Sequence, residues 1–307
     1  MDIVVVFSKI FVLFLLIAVG FIAGKLGIMD AEMNSKLSRL ILTISLPAYV
    51  ISAVLNAEHA TSARQILMMF LITFLFYALV TAFSWFIPFL LGAPKTERGM
   101  YRFMGIFSNS GFMGFPITQS ILGNTALLYA SVYNVPCALM VFTLGLYLVV
   151  GNDSEVKMDY HLFLTPGVVA AVLSMIIYLC NISFPAVVEE TLSLTGQIMV
   201  PGSMMVLGAS LAGLPLKGVF GDWRVYVFCL IRLIAIPYLT WLVFGLFVHD
   251  RLILGVIVLL AAMPVANNAT LFSARYHKSL DLASKGVFIS TMLSLFTIPL
   301  MVYLLLL

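Results

Sequence analysis

Residues 101–123 read YRFMGIFSNSGFMGFPITQSILG, and they are polar where a membrane-crossing helix should be most apolar. Ser108, Asn109, Ser110, Gly111, Gly114, Pro116, Thr118 and Gln119 fall in the middle of a run otherwise apolar enough to enter a bilayer. A proline lacks the backbone donor and clashes with the preceding turn, so it kinks or breaks a helix. Nearby glycines let the chain unwind and approach another backbone. In hydrocarbon, a freed amide or carbonyl is too costly to leave unpaired. Such a segment survives only where it lines a cavity or where protein satisfies it. A second stretch, LLAAMPVANNATLFSARY at 259–276, has the same character, with Pro264, Asn267, Asn268 and Thr270 near its centre.

The surroundings of both stretches are those of a membrane protein. Of 307 residues, 63% are hydrophobic and 9% charged, where a soluble domain carries about 25% charged residues. So few charges cannot cover a water-facing surface, which excludes an ordinary soluble enzyme, a nucleic-acid binder and a disordered chain. The apolar runs are continuous rather than alternating, which excludes a β-barrel. A helix needs about 20 apolar residues to cross the hydrocarbon core. Charge clusters and turn residues divide the chain into stretches of that kind at approximately 3–24, 37–55, 66–91, 102–122, 125–150, 162–183, 191–213, 223–248, 252–276 and 284–307. The expected fold is an all-α polytopic membrane protein of ten transmembrane helices. The first run has no basic segment before it and reads as a membrane helix, not a cleaved signal. Cys137, Cys180 and Cys229 lie in apolar runs without CxxC spacing and read as buried small hydrophobes.

Lysines and arginines orient the spans. On the side of the N-terminus lie Lys9, Arg64 and Arg251. On the other lie Lys25, Lys36, Arg39, Lys95, Arg98, Arg102, Lys157, Lys217, Arg224, Arg275, Lys278 and Lys285. The second side is therefore expected to be cytoplasmic, with both termini extracytoplasmic. Each half of the chain, 1–150 and 160–307, holds five spans. Five is odd, so the second half enters the membrane from the opposite side, which is the arithmetic of an inverted 5+5 repeat. Pro47 and Pro201 lie within spans 2 and 7, and Pro116 and Pro264 within spans 4 and 9. A polar, broken crossover helix at corresponding places in both halves is a sequence pointer to a transport site. Structural proline kinks with asparagines tying helices together are the plainer alternative.

The acidic residues and histidines all fall in loops or at span ends. That counts against a carboxylate proton relay in the membrane. No HExxH and no pair of membrane aspartates suggests an intramembrane protease, and no enzyme activity is expected. What remains is a neutral polar site with fixed dipoles. Half-helices starting at the breaks in spans 4 and 9 would aim partial positive charge and free amides at a cavity, which favours an anion. Asn109, Gln119, Asn267 and Asn268 would add amide donors and acceptors. Asparagine oxygens and backbone carbonyls could also hold sodium. The candidate substrate-binding residues are thus Ser108, Asn109, Gly111, Gly114, Pro116, Gln119, Asn134, Pro264, Asn267, Asn268 and Thr270, with Tyr133 a weaker candidate beside Asn134. Arg232 is the one charge inside a span. It is read either as a charge partner or gate for substrate, or as an arginine that snorkels to the cytoplasm or binds the carbonyls of a broken helix. Gly20 and Gly24, with small residues in span 7, fit close helix packing without a ligand.

Several of these stretches resemble one family. Gly24-Lys25-Leu26-Gly27-Ile28, Leu37-Ser38-Arg39-Leu40 and Leu46-Pro47-Ala48 are similar to the opening of auxin efflux carriers. Asn109 to Pro116 resembles the span 4 motif of that family, and Met263-Pro264-Val265-Ala266 through Ala274-Arg275-Tyr276 resembles its span 9. The family includes bacterial malate and malonate permeases and the plant PIN-FORMED carriers. The resemblance implies a scaffold at 1–56 and 160–214, commonly dimeric, and a transport domain at 64–150 and 222–307. It implies substrate beside the crossover at Pro116 and Pro264, and elevator-like movement. The expected function is therefore secondary transport of a small organic anion, a mono- or dicarboxylate, in a bacterial-type inner membrane. Its partners would be the anion, the lipid bilayer and a second copy of the chain, with no nucleic acid, metal or cofactor. Coupling would fall to sodium or to a proton carried on the substrate, or transport would be uncoupled. The connector at 150–161 is short, so regulation through a long loop is not expected. A ligand-binding sensor with a transporter fold, and a sodium-coupled carrier of sterol- or bile-acid-like anions, are the alternative readings.

Overall fold

The computed structural model describes residues 3–56, 61–151, 165–214 and 221–306. Most of the 150–161 connector, the first residues of the sixth apolar stretch, Lys157, Lys217, His59, His161, Asp2, Glu58, Asp153, Glu155 and Asp159 lie outside them. The described chain is helical apart from turns, extended links and one isolated antiparallel bridge. In order, the helices are α1 Ile3–Lys25, α2 Ala31–Leu55, α3 Ala63–Leu90, α4 Arg98–Ile106, α5 Phe115–Leu122, α6 Asn124–Val150, α7 Pro166–Leu179, α8 Ala186–Ala212, α9 Trp223–Gly245, α10 Arg251–Ala261, α11 Asn268–Tyr276 and α12 Leu280–Leu305. Among the described residues seven of these (α1, α2, α3, α6, α8, α9 and α12) are long and apolar enough to cross a membrane. Pro166–Leu179 and Arg251–Ala261 are shorter apolar helices.

Local chemistry sets the helix starts. Asp30 accepts from the Met33 amide at 2.7 Å, Asp222 from Arg224 at 3.0 Å, and Asp250 from Leu252 at 2.9 Å and Ile253 at 3.2 Å. Each occupies an amide that the first helical turn leaves unpaired. The Asp30 cap explains why α2 begins six residues before the apolar stretch at 37–55. Its first turns are polar, and Lys36 pairs with Glu32 at 2.5 Å one turn away. Likewise α8 starts just after Pro185, ahead of the apolar stretch at 191–213. Five-residue π-helical turns at Ile41–Ser45, Ser110–Gly114 and Ile231–Ala235 each lie just ahead of a proline, Pro47, Pro116 or Pro237. The ring removes one donor, and the wider turn absorbs the mismatch in register.

The chain forms two compact units. The first comprises Met1–Leu71, Gly111–Val135 and Leu164–Gly213. In it α1 lies against α8 with almost no space between backbones. A methyl group on Gly20 would overlap the Met205 carbonyl, and one on Gly208 would overlap the Ile17 carbonyl. On Gly24 it would come within 2.8 Å of the Ala212 side chain. Small residues let helices approach in lipid, where burial of apolar surface gives no drive toward association. Cys180 departs from expectation: it is exposed, because it caps the end of α7 instead of lying within it, while Cys137 and Cys229 are buried.

The second unit comprises Ile72–Ser110, Pro136–Phe163 and Leu214–Leu307. Its interior is aromatic. Phe103 and Phe107 lie 4.9 Å apart between ring centres, Tyr77 meets Phe107 at 6.0 Å, and Phe272 meets Phe103 edge-on at 5.8 Å. These rings surround the point where α4 ends.

Candidate functional site

The helix α4 stops at Ile106 because the chain turns extended at Phe107, with φ −100° and ψ 118°. It stays non-helical through Asn109 before the π-helical turn at Ser110. In the same unit α10 ends at Ala261, and helix resumes only at Asn268. The two non-helical segments satisfy each other. Ser108 and Val265 form an antiparallel bridge. The Asn109 amide donates to the Pro264 carbonyl at 2.8 Å, and the Ala266 amide donates to the Phe107 carbonyl at 3.1 Å. The Ser290 hydroxyl of α12 accepts from the Val265 amide at 3.1 Å. Backbone groups that would be untenable in lipid are thus paired inside protein.

The side chains beside this bridge are polar and enclosed. Ser108 is 5% exposed, Asn109 4% and Ser110 4%. Ser110 bonds Cys137 at 3.6 Å. The Asn109 Nδ2 and the Ser108 hydroxyl are buried with no hydrogen-bond partner among the described residues. A buried amide donor without a partner costs about 1–3 kcal/mol, so the site is built with an unmet demand for an acceptor. Asn267 and Asn268 are half-buried at the start of α11, and the Asn267 side chain makes no capping bond to it. The Thr270 hydroxyl donates to the Asn267 carbonyl at 2.8 Å. The structure therefore brings together Ser108, Asn109, Pro264 and the start of α11.

Arg232 is wholly buried, and its Nη1 donates to the Ala261 carbonyl at 2.7 Å. Ala261 is the last residue of α10, where carbonyls carry partial negative charge. Of the readings open from sequence, binding to the carbonyls of a broken helix is the arrangement seen, and snorkelling to water is not. The arginine fixes the end of α10 immediately ahead of the Pro264 segment.

The remaining candidates belong to the first unit. Gly111 has open space around its Cα, Gly114 and Pro116 are buried, and Gln119 is half-buried. Gln119 is engaged at both ends: its Oε1 accepts from the Tyr49 hydroxyl, and its Nε2 donates to Asn124 at 2.9 Å. Lys9 donates to the Ser120 carbonyl at 2.5 Å, beside the end of α5. Asn134 lies against Gly167, where an added methyl would be 3.3 Å from its Nδ2. Tyr133 is fully buried. Ser290 and Tyr49 carry no signal of this kind in their own stretches, and Cys137 reads from sequence only as a buried small hydrophobe. The run of hydroxyls in α12, Ser284, Ser290, Thr291 and Ser294, was the available signal for the first of them. Among the described residues no group of three His, Cys, Asp or Glu side chains is placed to hold a metal ion. An apolar groove of about 210 Å³ in the second unit, lined by Phe76, Val80, Phe83, Ile236 and Phe244, contains none of the candidate residues and offers nothing to an anion.

A polar break within an apolar helical framework is what carriers use, and comparison with known proteins agrees. A family model described as "Membrane transport protein" matches residues 5–161 and 154–302. The chain belongs to this family, the auxin efflux carriers. It is 23% identical over 299 residues to an uncharacterized transporter of Methanocaldococcus jannaschii, covering 95% of this chain and 96% of the relative. It is 25% identical over 287 residues to an uncharacterized transporter of Methanothermobacter thermautotrophicus, covering 93% of each. It is 27% identical over 307 residues to a Rhizobium meliloti protein named "Putative malonate transporter", covering 94% of this chain and 92% of that one. This member of the family is a multi-pass membrane transport protein, not an enzyme.

Proposed function

We propose that this carrier moves a small organic anion, a mono- or dicarboxylate, by secondary active transport. The observation that carries the proposal is the buried Asn109 amide with no partner among the described residues, held beside the Ser108–Val265 bridge. A carboxylate oxygen supplies the acceptor that this donor lacks. Asn267, Asn268 and Thr270 would complete the cradle at the start of α11, where the helix dipole favours negative charge. The relative named for malonate transport fits a dicarboxylate.

In this reading the membrane is crossed ten times, as two inverted sets of five. Seven long helices, the shorter α7, and the split crossings α4–α5 and α10–α11 support that number. Both termini face outward from a bacterial-type inner membrane. The scaffold is 1–56 and 160–214, through which two copies pair, and the transport domain is 64–150 and 222–307. The transport domain slides as an elevator, with the crossover carrying the anion. Gly111, Gly114 and Pro116 would offer backbone groups to the anion, and Gln119 and Asn134 would add amides. Arg232 contributes long-range positive charge while it holds α10. Coupling falls to sodium or to a proton borne by the substrate.

The test is uptake of labelled malonate, malate and an indole carboxylate into proteoliposomes, with and without sodium and proton gradients. Saturable uptake of one of these is expected, together with dependence on one gradient. Binding without flux under every gradient would instead identify a sensor.

A further inference from the structure

We propose that the turn between α3 and α4 is a binding site for the phosphate of an anionic phospholipid headgroup. Trp85 and Phe89 are one helical turn apart near the end of α3, and Arg98 and Arg102 are one turn apart at the start of α4. The two pairs form a ladder. The Arg102 guanidinium lies 3.8 Å from the Trp85 ring centre and 5.8 Å from that of Phe89, and the Arg98 guanidinium lies 4.7 Å from Phe89. Two cations therefore share one aromatic ring. Like charges at this spacing repel, and neither is in an ion pair among the described residues. Arg98 uses its Nε on the Ala93 carbonyl at 3.2 Å, and Arg102 Nε is buried without a hydrogen-bond partner among the described residues. The pair lacks an anion.

Its surroundings say which anion. Trp85 is 41% and Phe89 54% exposed, on a helix apolar enough to cross a membrane. These rings face lipid, not water. Trp85 is five residues before the end of α3, about 8 Å inside it at 1.5 Å per residue. That is the depth of the headgroup region, where aromatic belts and basic residues collect. Lys95 in the connecting turn and Arg224, which donates to the Leu91 carbonyl at 3.2 Å, add positive charge at the same end of α3. A phosphodiester on a lipid can reach two guanidiniums flanked by lipid-facing rings and leave its acyl chains along α3. Planar guanidiniums suit the bidentate contact with phosphate oxygens.

The test is native mass spectrometry of the purified full chain released from nanodiscs of phosphatidylcholine containing phosphatidylglycerol, with and without millimolar inorganic phosphate. Wild type is expected to retain phosphatidylglycerol over phosphatidylcholine by about tenfold or more, and to keep it in the presence of inorganic phosphate. The Arg98→Gln/Arg102→Gln variant should lose that preference, while Lys36→Gln, which removes an exposed lysine elsewhere, should keep it. Arg102→Lys retains the charge without the planar fork and should retain lipid at an intermediate level, which separates recognition from folding. Equal retention of both lipids by wild type would overturn the proposal. So would an unchanged preference in the double glutamine variant. Displacement of the lipid by inorganic phosphate would overturn it too, since the site would then serve a free anion.

Discussion

Gly111 and Gly208 are both glycines in helical turns, and the structure separates their roles. A methyl group on Gly208 would overlap the Ile17 carbonyl, whereas Gly111 has nothing within 4 Å of that position. Gly208→Ala should therefore cost about 1–3 kcal/mol or more, because backbone must move. It should appear as a lower melting temperature and a poorer size-exclusion profile in detergent. Gly111→Ala should leave both unchanged and, if backbone is used there for substrate, reduce uptake. Glu97 gives a second residue-scale prediction. Partial burial and the nearby Asp222 and Asp281 raise its carboxyl above the usual value of 4.5, against the lowering influence of Arg224 and Lys285. A carboxyl with a raised folded-state value favours the protonated form. The stability it contributes is complete below its unfolded value and is lost as pH rises through the folded one. The melting temperature of wild type should thus fall as pH rises above about 4.5, and that fall should be smaller in Glu97→Gln. An identical pH profile in the two proteins would contradict this. Of the residue-level reading, Asn109 and Pro264 were legible as unusual positions, because amides and prolines are conspicuous in apolar runs; that they meet substrate is the proposal. The partner of Arg232 was not, since 29 residues separate it from Ala261 and no local pattern encodes a contact across helices.

At the scale of elements, the polar, proline-containing stretches at 101–123 and 259–276 were legible in the sequence, while their being broken crossings belongs to the proposal. The antiparallel bridge between them was not, because backbone pairing leaves no signature in side chains. The starts of α2 and α8 were placed too late for the opposite reason. Apolarity measures what lipid covers, whereas Asp30 and Pro185 set where helix begins. The contacts of α1 and α2 with α5 leave no local sequence pattern either: Tyr49 of α2 occupies the oxygen of Gln119, and Lys9 of α1 occupies the Ser120 carbonyl. In the proposed elevator cycle α5 travels with the transport domain, so these bonds break on each turnover. Loss of one hydrogen bond of about 1 kcal/mol corresponds to roughly fivefold in an equilibrium. Tyr49→Phe should accordingly raise the initial uptake rate, by up to about fivefold, with little loss of thermal stability. A decrease in rate with protein still folded would mean that the pair belongs to the substrate route instead of restraining it.

For the whole molecule, composition alone established a helical membrane protein, because 9% charged residues cannot solvate a surface. The ordered motifs at 24–48, 109–116 and 263–276 pointed to the family that the comparison then gave. Substrate identity was beyond the sequence, since one fold serves carriers of different molecules. The central claim is that transport runs through the Asn109 amide at the crossover. Its most direct test is the concentration dependence of initial anion uptake in proteoliposomes, comparing wild type with Asn109→Ala at equal amounts of monodisperse protein. The account predicts saturable uptake in wild type and at least a tenfold loss of uptake efficiency in the variant, the order expected when a buried polar contact with a charged ligand is removed. Equal saturable uptake by both proteins would contradict it.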